Sequence, residues 1–121
     1  MHIRYSPEEY GKNLSELLDI LQGTGAKLIW SSTTPVMSRT GARFEDIPIR
    51  NAVAAKIMEA RKIPINDLYL YTLPHVKEWQ NPDQVHFNQA GNDRLADRVC
   101  ENILRELKCE PSVPGKTEAG R

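Results

Sequence analysis

Helical and strand-like segments alternate along the chain. The first helix begins at a capping box that starts with Ser6, and Gly23 and Gly25 end it. The remaining segments are two short apolar strands and two helices, in the order strand at residues 26–31, helix at 49–61, strand at 63–69 and helix after Asn88. This order predicts an α/β fold with parallel strands and flanking helices.

The predicted sheet is incomplete. Two short parallel strands do not make a stable sheet alone, and Pro64 keeps the second strand brief. The apolar run at residues 28–30 is typical of a strand with neighbours on both edges. Residues 36–48 are irregular and are predicted to form a long surface loop. The pattern therefore indicates that part of the sheet lies outside this chain.

Length and charge narrow the class of protein. The 121 residues suit one small domain, which we expect at residues 1–108, and residues 109–121 have too little to bury and predict a disordered tail. Sixteen basic and sixteen acidic residues cancel, which disfavours nucleic-acid and membrane-surface partners. We expect neither a membrane span nor a signal peptide in this chain, and the compartment is left open.

The segment from Asn81 to Gly91 carries the strongest chemical pattern. Asp83 precedes His86 by three residues in a loop that opens a helix. Folded back on the imidazole, the carboxylate would accept the proton of one ring nitrogen and leave the other as a general base. An Asp-x-x-His string alone is more often a surface histidine near a helix cap. The residues around it therefore decide whether the pair is interpreted as catalytic.

Other candidates surround this pair. Thr33 and Thr34 leave the first strand at its C-terminal end, where ligands gather in open α/β sheets, and are predicted to contact substrate. Trp79 is either a packing residue or part of a substrate cleft. Two further alternatives are weaker. One is a nucleophile at Ser31 or Ser32, at the C-terminal end of the first strand, and the other is a metal site in which His75 joins Asp83 and His86.

The string D-x-V-H-F-N-x-x-G before a final amphipathic helix resembles the last block of SGNH (GDSL-type) hydrolases. Segments at residues 5–14, 25–36, 51–54 and 63–69 resemble the preceding parts of that family in the same order. The resemblance implies an incomplete three-layer α/β/α, flavodoxin-like fold, with Asp83 and His86 as the triad acid and base. It also implies that no metal or organic cofactor is needed.

The blocks that would complete the site do not occur in the sequence. SGNH hydrolases supply a serine nucleophile, a glycine and an asparagine from three earlier blocks, and no Gly-Asp-Ser is found here. The leading expectation is the C-terminal portion of an esterase for acyl esters, acetyl or carbohydrate esters among them, inactive as an isolated chain. The alternative is a non-catalytic remnant or interaction module that pairs, or self-associates, through its open strand edge.

Overall fold

The computed structural model describes residues 5–38 and 43–108. The predicted tail at residues 109–121 lies outside the described residues. The described part folds into helices and one short parallel sheet, with the elements α1 (Pro7–Gln22), β1 (Trp30–Ser31), α2 (Arg43–Ala60), β2 (Ile65–Asn66), α3 (Leu68–Thr72), a 3-10 turn (Leu73–His75), α4 (Val76–Trp79) and α5 (Gln89–Lys108). The predicted order of helices and strands, and with it the α/β class, is confirmed.

The start of α1 follows from its capping box. The Ser6 hydroxyl accepts a hydrogen bond from the Glu9 amide at 3.1 Å, and the Glu9 carboxylate accepts one from the Ser6 amide at 2.9 Å. These two bonds satisfy donors that the first helical turn leaves without partners. Gly23 caps the other end of the helix, as predicted.

The sheet is brief because of one proline. Trp30 pairs with Ile65 and Ser31 with Asn66, in parallel. The Trp30 amide donates to the Pro64 carbonyl at 3.0 Å, but Pro64 has no N–H with which to bond the carbonyl of Leu28, the preceding residue that faces β2. The ladder therefore starts at Trp30, and both strands are shorter than the predicted segments at residues 26–31 and 63–69.

The prediction of a loop up to residue 48 was wrong, because α2 already begins at Arg43. Glu45 and Asp46 lie in its first turn, where carboxylates interact favourably with the positive end of the helix dipole. Asp46 also pairs with Arg50 one turn later. Pro48 lies within the helix, near its start, where its missing N–H removes a single helical hydrogen bond.

The core lies where α1 and α2 pack against the strand segments. Leu18, Met58 and Ile63 are buried, and the apolar side chains packed around them are Leu14, Leu28, Trp30, Ile57 and Ile65. α1 contacts α2 closely, and α5 contacts β2. The core therefore places α1 and α2 against the strand segments. A longer segment follows β1 at its carboxyl end, whereas β2 leads through Asp67 directly into α3.

Much apolar surface stays uncovered. Within residues 5–38 and 43–108 no third strand joins the sheet, and Trp30 is half-buried. The outer parts of α1 and α5 expose large apolar side chains, namely Leu17, Ile20, Leu21, Ile103, Leu104 and Leu107. None of the helices in the described part is both long and apolar enough to cross a membrane.

Candidate functional site

The loop that joins α4 to α5 closes on itself. Gln80 and Phe87 form an antiparallel bridge, and the Asn81 amide donates to the His86 carbonyl at 2.8 Å. Just outside this bridge the Asn88 amide donates to the Trp79 carbonyl, also at 2.8 Å. We call residues 80–87 the His86 loop. Its two ends are held together by backbone bonds, so its tip has a defined shape.

Asp83 folds back on His86 within this loop. One carboxylate oxygen, Oδ1, accepts hydrogen bonds from the amides of Val85 at 2.9 Å and His86 at 3.0 Å. The other, Oδ2, lies 2.6 Å from Nδ1 of the His86 ring. The bond to the ring and the two amide bonds all favour the charged carboxylate, and they lower the pKa of Asp83 to about 2.

The geometry of the pair suits general base chemistry. An ionised Asp83 accepts the proton on Nδ1, so the neutral imidazole carries its free lone pair on Nε2. The His86 side chain is 78% exposed, which leaves that nitrogen accessible to a reacting group. The structure thus brings together the two residues that the sequence singled out, in the arrangement expected of an orienting carboxylate and a base.

The turn between them requires an unusual backbone at Gln84. Its φ of 61° lies in the left-handed region, which non-glycine residues rarely adopt. The Gln84 amide donates to the Asn81 carbonyl at 2.9 Å and closes the turn. Nothing in the sequence marked this residue, because glutamine carries no preference for that conformation.

The segment that leaves β1 meets the His86 loop. Gln80 donates from its side-chain amide to the Pro35 carbonyl at 2.7 Å, and the Met37 amide donates to the Gln84 carbonyl at 2.8 Å. A groove of about 410 Å³ lies between Met37 and the chain from Val76 to Gln84. The strand exit and the histidine loop therefore share one rim of the sheet.

Thr33 and Thr34 lie on this exit segment. The side-chain amide of Asn51 on α2 brackets the Thr33 backbone, donating to its carbonyl at 2.9 Å and accepting from its amide at 3.0 Å. The Thr33 side chain is exposed and that of Thr34 is half-buried. Their predicted contact with a substrate stays a prediction.

The two serines at the C-terminal end of β1 have structural partners. Ser32 is 4% exposed, and its hydroxyl donates to Asp67 at 2.9 Å and accepts from the Tyr69 amide at 2.9 Å. The Ser31 hydroxyl accepts a bond from the Asn66 side chain at 3.2 Å. Ser32 therefore links β1 to the start of α3, and its burial argues against the weaker alternative of a nucleophile at this position.

Trp79 packs in the interior. It is 9% exposed, and its ring stacks on His75 with centroids 4.1 Å apart and lies 5.7 Å from the ring of Tyr71. This burial fits the packing alternative for Trp79 and leaves little of the indole for a ligand. In the described ranges no three His, Cys, Asp or Glu side chains converge on a common point that a metal ion could occupy.

The start of α5 is anchored to α4, beside the His86 loop. The Asn88 side chain accepts from the Gly91 amide at 2.9 Å, as a helix cap, and donates to the Glu78 carbonyl at 2.8 Å. Gly91 packs so tightly that a Cβ atom there would lie 2.7 Å from the Trp79 carbonyl oxygen. The motif that resembles the SGNH block thus has a structural role beyond its two titratable residues.

Three solved structures share this fold. The esterase domain of the ORF1 protein from the zebrafish ZfL2-1 retrotransposon has a TM-score of 0.74 and 20% identity, over 84% of this chain and 61% of that one. The acetyl xylan esterase AlAXEase has a TM-score of 0.67 and 18% identity, over 81% of this chain and 56% of that one. LAE5, an α/β hydrolase from the metagenome of Lake Arreo, Spain, has a TM-score of 0.64 and 19% identity, over 89% of this chain and 50% of that one. The chain therefore spans only about half to three fifths of their lengths.

Comparison of the sequence with known proteins does not identify a family for this chain. No protein-family model matches the chain, and no curated protein sequence matches it. At about one fifth identity the structural likeness concerns the fold alone. The chain has an α/β fold of the kind found in esterases and related hydrolases.

Proposed function

We propose that this chain is the C-terminal portion of an SGNH-type ester hydrolase. The observation that carries the proposal is the 2.6 Å contact between Asp83 Oδ2 and His86 Nδ1 in an exposed loop at the rim of the sheet. The esterase-like fold supports it independently of the motif. The full enzyme would have a three-layer, flavodoxin-like arrangement in which β1 and β2 are the last strands.

The proposed mechanism assigns one role to each residue. A serine from an earlier block attacks the ester carbonyl, and His86 takes its proton through Nε2 and then delivers it to the leaving alcohol. Asp83 holds the ring in the required tautomer and stabilises the imidazolium that forms. The substrate is an acyl ester, acetyl esters of carbohydrates among them, and it would lie beside Thr33, Thr34 and the groove at Met37.

Reconstitution tests the proposal. The chain is fused to an upstream segment that bears the serine, glycine and asparagine blocks, and hydrolysis of a short-chain aryl ester is followed. His86→Gln should lower kcat by roughly 10²–10⁴-fold, the usual contribution of a general base. His75→Gln is the matched control, since the His75 ring stacks on the buried Trp79 and is not paired with Asp83.

The carboxylate has its own pair of variants. Asp83→Asn should lower kcat strongly because the amide does not hold the ring in the same tautomer. Asp93→Asn is the control, because Asp93 lies on α5 and accepts a bond from Gln89. Activity that survives both His86→Gln and Asp83→Asn at the level of the controls contradicts the assigned roles.

A second candidate rests on the uncovered surface. Along the β1 segment the residues Trp30 and Ser32 bond the β2 segment through their backbone amides. The backbone groups of Ile29 and Ser31 point to the opposite edge of the strand, away from β2. A chain with this open edge and exposed apolar helices could serve as a module that binds another chain or a second copy. The DNA upstream of the Met1 codon discriminates the two, since a serine block in frame or one frameshift away favours the esterase.

A further inference from the structure

The contact between Asp83 and His86 depends on a strained turn. Gln84 lies between them in the left-handed region, at φ 61°. For a residue other than glycine this conformation is disfavoured by roughly 5- to 30-fold in population. The His86 ring itself is 78% exposed, so packing does not hold it in place. Hydrogen bonds offset this cost; some of them lie within the loop, and others reach Gln84 from outside it.

Three hydrogen bonds join the exit segment of β1 to the loop, and the longest runs from the Ser38 amide to the Gln84 carbonyl at 3.4 Å. The Gln84 carbonyl accepts from the Met37 amide at 2.8 Å. Two residues earlier, the Pro35 carbonyl accepts from the Gln80 side-chain amide at 2.7 Å. These bonds span the loop, because Gln80 lies at its base and Gln84 at its tip. Pro35 is fully buried, so the carbonyl that Gln80 bonds belongs to a fixed residue.

The exit segment is in turn held by the fold. Asn51 on α2 makes two hydrogen bonds to the Thr33 backbone, and the Ser32 amide bonds the Asn66 carbonyl of β2. A connected set of bonds therefore runs from α2 and the sheet through Pro35 and Gln80 to the turn at Gln84.

We propose that Gln80 is a positioning residue for His86: by tying the loop to Pro35 it keeps Met37 on the Gln84 carbonyl, and so maintains the turn that places Asp83 on the imidazole. The importance of this role for catalysis rests on the proposed esterase function. The structural effect does not, because it is a property of the 121-residue chain alone.

The test uses that chain, labelled with ¹⁵N in histidine. Long-range ¹H–¹⁵N spectra at neutral pH report which ring nitrogen of each imidazole carries the proton. Wild-type His86 should carry it on Nδ1. Gln80→Met keeps the length of the side chain but removes the donor, and should lower the Nδ1-protonated fraction by about half or more. Hydrogen exchange at the Met37 amide should speed up in the same variant.

A second-site variant separates positioning from general stability. Adding Gln84→Gly to Gln80→Met removes the strain at the turn, because glycine adopts the left-handed conformation without a steric penalty. The double variant should regain most of the wild-type His86 signal. Gln89→Met is the matched control, since the Gln89 side chain bonds Asp93 on α5. It should leave the His86 signal unchanged.

The outcomes differ for the two proposals. Wild-type spectra without an Nδ1-protonated His86 contradict the Asp83–His86 pair, and the proposed function and this inference fall together. A wild-type pair that persists unchanged in Gln80→Met overturns this inference alone. An equal loss of signal at His86 and at the reference residue His75, with no recovery in the double variant, also overturns it, since that pattern reflects unfolding.

Discussion

Both oxygen atoms of the Asp83 carboxylate make hydrogen bonds within the His86 loop. Oδ1 accepts two backbone amides and Oδ2 contacts the imidazole, so both oxygens hold the loop in shape. The same bonds that build the turn therefore keep the group charged. A carboxylate in this setting serves as an orienting anion over the whole neutral range of pH.

The pH dependence of this group is the first prediction. The pKa of Asp83 is lowered to about 2, so its bonds stabilise the folded loop above the unfolded value of 3.8 and are lost as the pH falls through about 2. A carbon-detected NMR titration of the Asp83 carboxyl should give a midpoint near 2. His86→Gln should raise that midpoint, because the bond to His86 is the largest cause of the shift. A midpoint in wild type near 3.8 would contradict the closed turn.

The left-handed residues give the second prediction. Gln84→Gly should raise the free energy of unfolding by about 0.5–1 kcal/mol, since relief of strain of ~1–2 kcal/mol exceeds the added flexibility of glycine in the unfolded chain. Lys62 at the end of α2 has a similar φ of 58°, so Lys62→Gly is the matched control with a similar gain. Denaturant melts measure both variants. A loss of stability in Gln84→Gly alone would show that its side chain matters more than its backbone.

At the level of elements, the junction of α4 and α5 is the tightest point near the site. A Cβ on Gly91 would lie 2.7 Å from the Trp79 carbonyl oxygen and 2.8 Å from the Trp79 Cβ. The obstacle is backbone, which cannot move aside as a flexible side chain would. α4 and α5 therefore keep their spacing only with glycine at this position.

Gly91→Ala tests that spacing. We expect a loss of about 1–3 kcal/mol of stability, as for other overpacked sites, although alanine favours the helix. Gly23→Ala is the control, because Gly23 has an ordinary helical φ of −65° and a new Cβ there would keep 3.3 Å from the nearest atom. Thermal unfolding followed by circular dichroism compares them. Equal melting temperatures for the two variants would contradict the close contact.

The success of sequence-based prediction varied by element for physical reasons. The start of α1, the brevity of β2 and the cap of α5 were predictable because Ser6, Pro64 and Asn88 act through local chemistry. The early start of α2 could not be predicted, because a proline such as Pro48 indicates the end of a helix unless it is known to lie near the helix start. The contributions of Gln80 and Gln84 were also invisible, since they depend on the segment after β1, more than 40 residues away.

At the level of the whole molecule, the described residues leave large apolar side chains exposed on two helices. Leu17 and Ile20 on α1 and Leu104 and Leu107 on α5 are each more than half exposed. Surfaces of this kind mark places where another polypeptide packs. Together with the open edge of β1, they lead us to expect an isolated chain that is marginally stable and self-associates.

Sedimentation velocity over a range of concentrations measures this self-association. Leu104→Lys should weaken it by roughly tenfold or more, because burial of a leucine contributes about 1.5–3 kcal/mol. Leu70→Lys is the matched control, since Leu70 is a similarly exposed leucine on α3. A wild-type chain that stays monomeric and unfolds cooperatively at high temperature would contradict the prediction.

The parallel direction of β1 and β2 has a consequence for any partner. Both strands run toward the rim that carries the His86 loop. A strand that joins β1 in the same direction delivers its own carboxyl-end loop to that rim. Two copies related by a two-fold axis would pair antiparallel, and their histidines would lie at opposite ends of the shared sheet. Under the proposed esterase function, a strand that runs in the same direction as β1 is the kind of neighbour that brings a hydroxyl nucleophile to the rim of His86, whereas a two-fold pair of this chain does not.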